Sequence, residues 1–234
     1  MRRSRDPRSP WGVRLWFEDA EFDEIMDGVR QRAGEVYAEG RGVDVDEVLM
    51  RVYGIDPDYL ELPRGVLGRT VFHANGLVDV HVSRSLSERA EKSRVARQRL
   101  RSTMGHECGH VALHGNLQLG APGAAPKEAP AILCRASAFK TNGRRGGEWW
   151  EYQANRAMAS LLMPRDLTHA ALSKILRARG HESLEKALEA ESGPEVLGEL
   201  SRIFDVSFEM VLYRLTDLGL LPRPTPDPGA EPSA

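Results

Sequence analysis

The stretch HECGHVALHG, His106 to Gly115, constrains this chain more than any other part of it. Three histidines and a glutamate fall within an otherwise apolar segment, and each costs free energy to bury unless a partner offsets its lost hydration. Leu100, Met104, Cys108 and Val111 recur at helical spacing and predict a core-facing stripe. His106 and His110 each lie two residues from that stripe, ~200° around the helix axis. Being four apart, they stand one above the other with Cβ atoms ~5–6 Å apart. Two imidazoles so placed can reach one tetrahedral metal ion with bonds of ~2.0–2.1 Å. Glu107, beside the first histidine, then reaches a water on that ion rather than the ion itself. The pattern is H-E-x-x-H, found on the active helix of zinc peptidases. The competing reading, two surface histidines near a glutamate, is weakened by the register, which turns both imidazoles away from the stripe together.

A third ligand is needed, and His114 is the nearest candidate. Eight residues beyond His106, it lies ~12 Å along the axis, too far to share the ion. The arrangement H-E-x-x-H-x-x-G-x-x-H would need glycine at 113 and histidine at 116, where this chain has Leu113 and Asn116. His114 is therefore read as closing the helix before Gly115, with a role supporting a ligand or polarising substrate as the second reading. The third ligand is expected from EWWEYQANRAMASLLMP, which starts at Glu148. Glu151, Asn155, Met158 and Leu162 share one face there, so Glu151 can meet the histidines across a helix–helix contact. Asn155, one turn on, can hydrogen-bond the outer atom of a ligand. Glu148 and Glu151 would also suit a helix amino terminus for its dipole alone. That reading is stronger for Glu148, because Glu151 lies on the apolar face.

The 234 residues are enough for one domain or two. With 28% charged residues and a net charge of −2, the composition argues against a general nucleic-acid binder and against a disordered chain. No apolar run approaches the ~18 residues of a membrane span. The amino-terminal MRRSRDPRSPWGVRLWF is basic, but Arg14 interrupts its apolar part and no small-residue cleavage site follows, so no secretory signal is expected. Two cysteines, Cys108 and Cys134, are too few for a disulfide framework, which makes a reducing cytoplasm the expected compartment. Cys134 is read as a buried thiol.

The predicted fold class is α+β and mostly helical, with a small β-sheet or hairpin before the histidine helix. Residues 1–15 are expected to be a loose basic terminus and 223–234 a loose tail. Residues 16–193 would form the main domain and 194–222 a helical segment packed on it. EDAEFDEIMDGVRQRAGEVYAEG predicts a helix burying Phe22, Ile25, Met26, Val29 and Ala33. In DVDEVLMRVYG, Asp44 and Asp46 read as helix-capping groups. RTVFHANGLVDVHVS alternates around Asn75-Gly76, a hairpin turn with Val78, Val80 and Val82 inward and Asp79 and His81 outward. The outer strand, Leu77 to Ser83, is expected to pair with an extended substrate. The Gly115–Gly147 connection, with Gly143, Gly146 and Gly147, reads as a surface loop, with a cover over the site as the second reading.

HECGH, then E-x-x-A-N, then LLMP together resemble the ImmA/IrrE metallopeptidases. Here these are His106-Glu107-Cys108-Gly109-His110, then Glu151 with Ala154-Asn155, then Leu161-Leu162-Met163-Pro164. LGELSRIFDVSFEMVLYRLTDLGLL is similar to the family's helix-turn-helix-like segment. The resemblance spans roughly residues 68–222 and is carried by the combination of motifs. It implies a zincin-like domain in which His106, His110 and Glu151 hold the metal and Glu107 is the general base. Cys108, in place of the usual leucine, and Ala157-Met158, in place of phenylalanine-alanine, depart at packing positions. Activity follows as that of a zinc-dependent protease of narrow specificity, with a helix-turn-helix repressor as its substrate and stress-response or mobile-element genes released. Manganese suits the same mixed ligands. His114 and Tyr152 are candidate donors to the oxyanion.

Two other functions remain open at the level of sequence. A regulatory module could keep the metal and sequester a repressor without cutting it, although binding alone needs no Glu107. A DNA-associated factor is suggested by seven basic residues against two acidic ones in 84–101. The helix-turn-helix spacing after Glu195 adds to that idea, but five acids against two bases between Glu195 and Leu220 would repel phosphate. Direct nucleic-acid binding is therefore not expected, and the basic stretch reads as a solvated helix face.

Overall fold

The computed structural model describes residues 1–7, 9, 11–73, 75–120, 131–135 and 149–222, without the side chains of 118–120 and 131–135. The tail from 223, the side chain of Cys134 and the glycines at 143, 146 and 147 lie outside the described residues.

The first departure from expectation is at the amino terminus. Strands β1 (Arg2–Arg5) and β2 (Val13–Trp16) pair antiparallel, with Arg2 opposite Trp16. The Pro- and Arg-rich composition suggested a loose terminus, but Leu15 is 1% exposed and Trp11 packs on Phe72, Trp149 and Trp150. Two apolar anchors outweigh an unfavourable average composition.

Helix α1 (Asp19–Ala33) starts in a capping box between Glu18 and Glu21 and buries Phe22, Met26, Val29 and Ala33, as its period requires. The short strands β3 (Tyr37–Ala38) and β4 (Gly42–Val43) lead to α2 (Val45–Tyr53), whose first turn Asp44 caps by accepting from the Glu47 amide. Asp46 instead accepts from the Tyr59 hydroxyl at 2.9 Å. Strand β5 (Asp58–Leu60) and the hairpin β6 (Val66–Phe72) and β7 (Val78–Ser83) follow. Val80 and Val82 enter the core and Gly76 takes φ +85° in the turn.

Next come α3 (Arg84–Ala90), α4 (Arg94–His114), a 3-10 turn at Gly115–Gly120 and β8 (Ala131–Arg135). The sheet order is β5-β7-β6-β8, so β7 is interior, with β5 parallel to it from His81 to Ser83. The expectation that Leu77–Ser83 forms an outer strand is corrected. Alternation of apolar residues shows which face is buried but does not distinguish an edge from the middle of a sheet.

The carboxyl side is helical: α5 (Trp149–Leu162), α6 (Arg165–Ala178), α7 (Leu184–Glu189), α8 (Gly193–Phe204) and α9 (Phe208–Asp217). Val196, Leu200, Phe204, Val211 and Leu215 of the last two join the same core as α1, α4 and α5. Arg97 and Gln98 of α4 donate to Asp205, at the left-handed end of α8, and Arg94 forms an ion pair with it. The basic stretch is largely solvent-exposed, as expected, while Arg94 and Arg97 also pair with Asp205 from that exposed face. Among the described residues, no helix is long and apolar enough to cross a membrane.

The α4–α5 contact matters most for function. A Cβ at Gly109 would stand 2.8 Å from the Ala154 carbonyl oxygen and 3.1 Å from the Ala157 Cβ, and one at Gly105 would stand 3.1 Å from the Met158 Cγ. Small residues on both helices let the backbones approach closely enough for side chains of moderate length to meet across them.

Candidate metal centre

From Ser102 to Val111 every residue of α4 is buried, which makes it the central helix of the fold. His106, Glu107, His110 and His114 are all 0% exposed. Their face is turned not to solvent but to α5 and the sheet. Across the close contact, α5 brings in Glu151. His106 Nε2 and His110 Nε2 stand 3.0 Å apart, with Glu151 Oε2 3.1 Å from the first and Oε1 3.3 Å from the second. These three residues offer ligand atoms all within 4.8 Å of one another. Ligands of a tetrahedral ion with ~2.0–2.1 Å bonds are roughly 3.3 Å apart, so the spacing suits a zinc-sized ion.

The chemistry of the donor set also suits a cation. His106 Nδ1 lies 2.9 Å from Asn155 Oδ1, to which it donates, so its Nε2 faces the carboxylate as the nitrogen that could hold a metal. Burial alone would lower the pKa of His106, but the Glu151 carboxylate raises it above the ordinary value. Burial works against ionised Glu151 as well, yet the two histidines hold its carboxyl well below the usual range. His110 is pushed down by burial, and His114 further.

Glu107 is held from the sheet. Thr70 of β6 donates to Glu107 Oε2 at 2.6 Å, whereas the buried Oε1 has no hydrogen-bond partner among the described residues. A Cβ at Gly68 would stand 2.7 Å from that oxygen, so glycine there keeps room for it. Burial pushes the Glu107 carboxyl up to about 8, against the lowering pull of His106 and Thr70. One anchored oxygen and one orphaned oxygen fit a group that handles a small molecule absent from the fold.

All six residues singled out in the sequence, Glu107, His106, His110, Glu151, Asn155 and His114, come together. His114 does not reach the cluster of ligand atoms; its Nδ1 stands 3.0 Å from His110 Nδ1. Tyr152 instead accepts from Arg156 at 3.1 Å. Sequence reasoning missed Thr70, Gly68 and Gln153. Gly68 and Thr70 are two apart on a strand and so share the face toward α4, a signal readable only once the strand is paired with that helix.

Comparison with curated proteins gives no match. A family model, described as the IrrE N-terminal-like domain of Peptidase M78, matches residues 90–216, which include α4, α5 and both parts of the ligand set. This chain therefore belongs to the ImmA/IrrE family of metallopeptidases.

Proposed function

We propose that this protein is a zinc-dependent endopeptidase of narrow specificity, with His106, His110 and Glu151 as ligands and Glu107 as the general base. The observation that carries the reading is the convergence of two Nε2 atoms and a carboxylate at 3.0–3.3 Å, beside a glutamate with one oxygen unpartnered. A zinc ion held there, or manganese in its place, supplies an acidified water and an electrophile for the scissile carbonyl. The chain's own residues do the rest. Positive charge beside Glu107 favours its ionised form over the neutral one that burial alone enforces. Oε1 accepts a proton from the attacking water while Thr70 holds Oε2. The protonated carboxyl then passes that proton to the departing amine. Asn155 fixes the ring of His106.

The proposed substrate is a helix-turn-helix repressor in the cytoplasm, whose cleavage would release stress-response or mobile-element genes. Supporting a protein rather than DNA as partner, α9 turns its single arginine, Arg214, fully inward, leaving Glu209 in its first turn. The test is incubation with a repressor encoded beside this gene, with and without chelator, and fragment mapping by mass spectrometry. Glu107→Gln should keep zinc and lose cleavage. Cleavage by that variant at the wild-type rate rejects the proteolytic reading.

A further inference from the structure

His110 carries the metal reading only if its Nε2 is free of hydrogen, and nothing on α4 alone fixes that. The proton position is set from farther away. The Leu15 backbone carbonyl of β2 accepts from Gln153 Nε2 at 2.8 Å. A carbonyl can only accept, so the Gln153 amide is oriented with its NH2 toward Leu15 and Oε1 toward α4. That oxygen lies 3.1 Å from His114 Nε2, which must therefore be the donor. A neutral His114 then has a bare Nδ1, and 3.0 Å away stands His110 Nδ1, which must carry the hydrogen. His110 Nε2 is left as a lone pair facing Glu151 and His106.

We infer that the N-terminal hairpin sets the tautomer of His110: Leu15, acting through Gln153 and His114, keeps the proton on Nδ1 and presents Nε2 to the metal. The inference rests on the metal reading above and extends it to residues that the H-E-x-x-H and E-x-x-A-N motifs do not specify. His114 and Gln153 are positioning residues. Three conditions make the chain of bonds directional. It begins at a backbone acceptor that cannot reverse. Leu15, Gln153 and His114 are 1%, 5% and 0% exposed, so water has little opportunity to substitute for a link. Trp11 and Trp149 pack on the His114 ring, with centroids at 5.3 and 5.5 Å, and limit its rotation. Strand β2 is thereby a working part of the centre, although it ends ninety positions before the first ligand.

The direct test is long-range proton–nitrogen NMR of the imidazoles in the full-length, metal-free protein. The expected result is hydrogen on Nδ1 of His110 and on Nε2 of His114. The opposite tautomer at either ring, or a rapidly exchanging mixture, overturns the inference. Gln153→Met should then turn both rings into tautomer mixtures and weaken zinc roughly 10–100-fold in competition with a chromophoric chelator. His114→Phe should weaken zinc to a similar degree. Unchanged affinity in both variants overturns the inference too. If either variant fails to fold, the wild-type spectrum decides alone. Failure of the wild type to bind zinc would reject the metal reading, whereas tight zinc binding with hydrogen on His110 Nε2 in the metal-free protein would reject only this relay.

Discussion

Helix α5 carries buried polar groups at both ends, and the two sets differ in kind. Toward its carboxyl end, Ser160 accepts from Arg214, which also donates to the Met163 carbonyl, Asp217 and Asp23. Arg156 pairs with Asp217 at 2.6 Å. Two arginines there face two aspartates, and every guanidinium nitrogen of the fully buried Arg214 has a partner. Toward its amino end, the Glu151 carboxylate stands 3.1 and 3.3 Å from the Nε2 atoms of two imidazoles, beside a second glutamate with an oxygen that has no hydrogen-bond partner among the described residues. The first set is balanced and the second is short of positive charge. A balanced buried cluster fixes how helices pack, whereas an unbalanced one is completed by something from outside.

That contrast can be broken most forcefully at the balanced end. Arg214→Met leaves buried carboxylates short of a cation and should cost about 3–5 kcal/mol in denaturant unfolding. His110→Ala should cost the metal-free protein much less and abolish zinc uptake. If Arg214→Met proved as mild as His110→Ala, the distinction between the clusters would be lost.

Metal removal probes the other end. Zinc at a thousandfold excess over its Kd should stabilise the fold by about 4 kcal/mol, read as a rise in Tm that a chelator reverses. Because His106 has a raised pKa in the metal-free protein, protons compete with the ion, and zinc affinity should fall as the pH drops below neutral. Arg214 and its partners should show no dependence on zinc.

Glu107→Gln sharpens the comparison within the electron-rich set. In the metal-free protein the folded pKa of Glu107, about 8, lies above its ordinary value of 4.5. The folded chain retains a proton that the unfolded chain has released between those values, so stability from this group is full below pH 4.5 and lost as pH rises through 8. The neutral variant escapes that loss. It should match wild type near pH 4 and exceed it near pH 8, by on the order of 1–3 kcal/mol. A variant less stable than wild type at pH 8 would contradict the burial cost assigned to this ionised carboxyl.

The smallest expected effects come from the close helix contact. Gly109→Ala meets the Ala154 backbone oxygen and should cost about 1–3 kcal/mol, with weaker zinc binding as Glu151 is pushed back. Gly105→Ala meets the flexible end of Met158, which can yield, and should cost less. Equal costs would show that the helix separation is not set at Gly109.

What the sequence made legible was local. The histidine helix, the face of α5 that carries Glu151 and Asn155, the capping of α2 by Asp44 and the β6–β7 hairpin all follow from spacing within one segment. What escaped depended on partners distant in sequence. Leu15 and Gln153 meet across 138 positions, Thr70 and Glu107 across 37, and Arg97 and Asp205 across 108. The basic stretch is exposed as its period suggested, but a helical period does not reveal that α8 ends beside it and pairs Asp205 with Arg94 and Arg97. Arg214 counted as one of two bases on a surface helix because net charge does not report burial. At the amino terminus, average composition hid the two residues, Trp11 and Leu15, that hold the hairpin down.

Metal content and coordination of the purified protein test the central claim most directly. One zinc per chain is expected, with X-ray absorption showing two imidazole nitrogens and carboxylate or water oxygens near 2.0–2.1 Å, and none retained by Glu151→Ala. Zinc held through sulfur, or bound as tightly after that substitution as before it, would contradict the account.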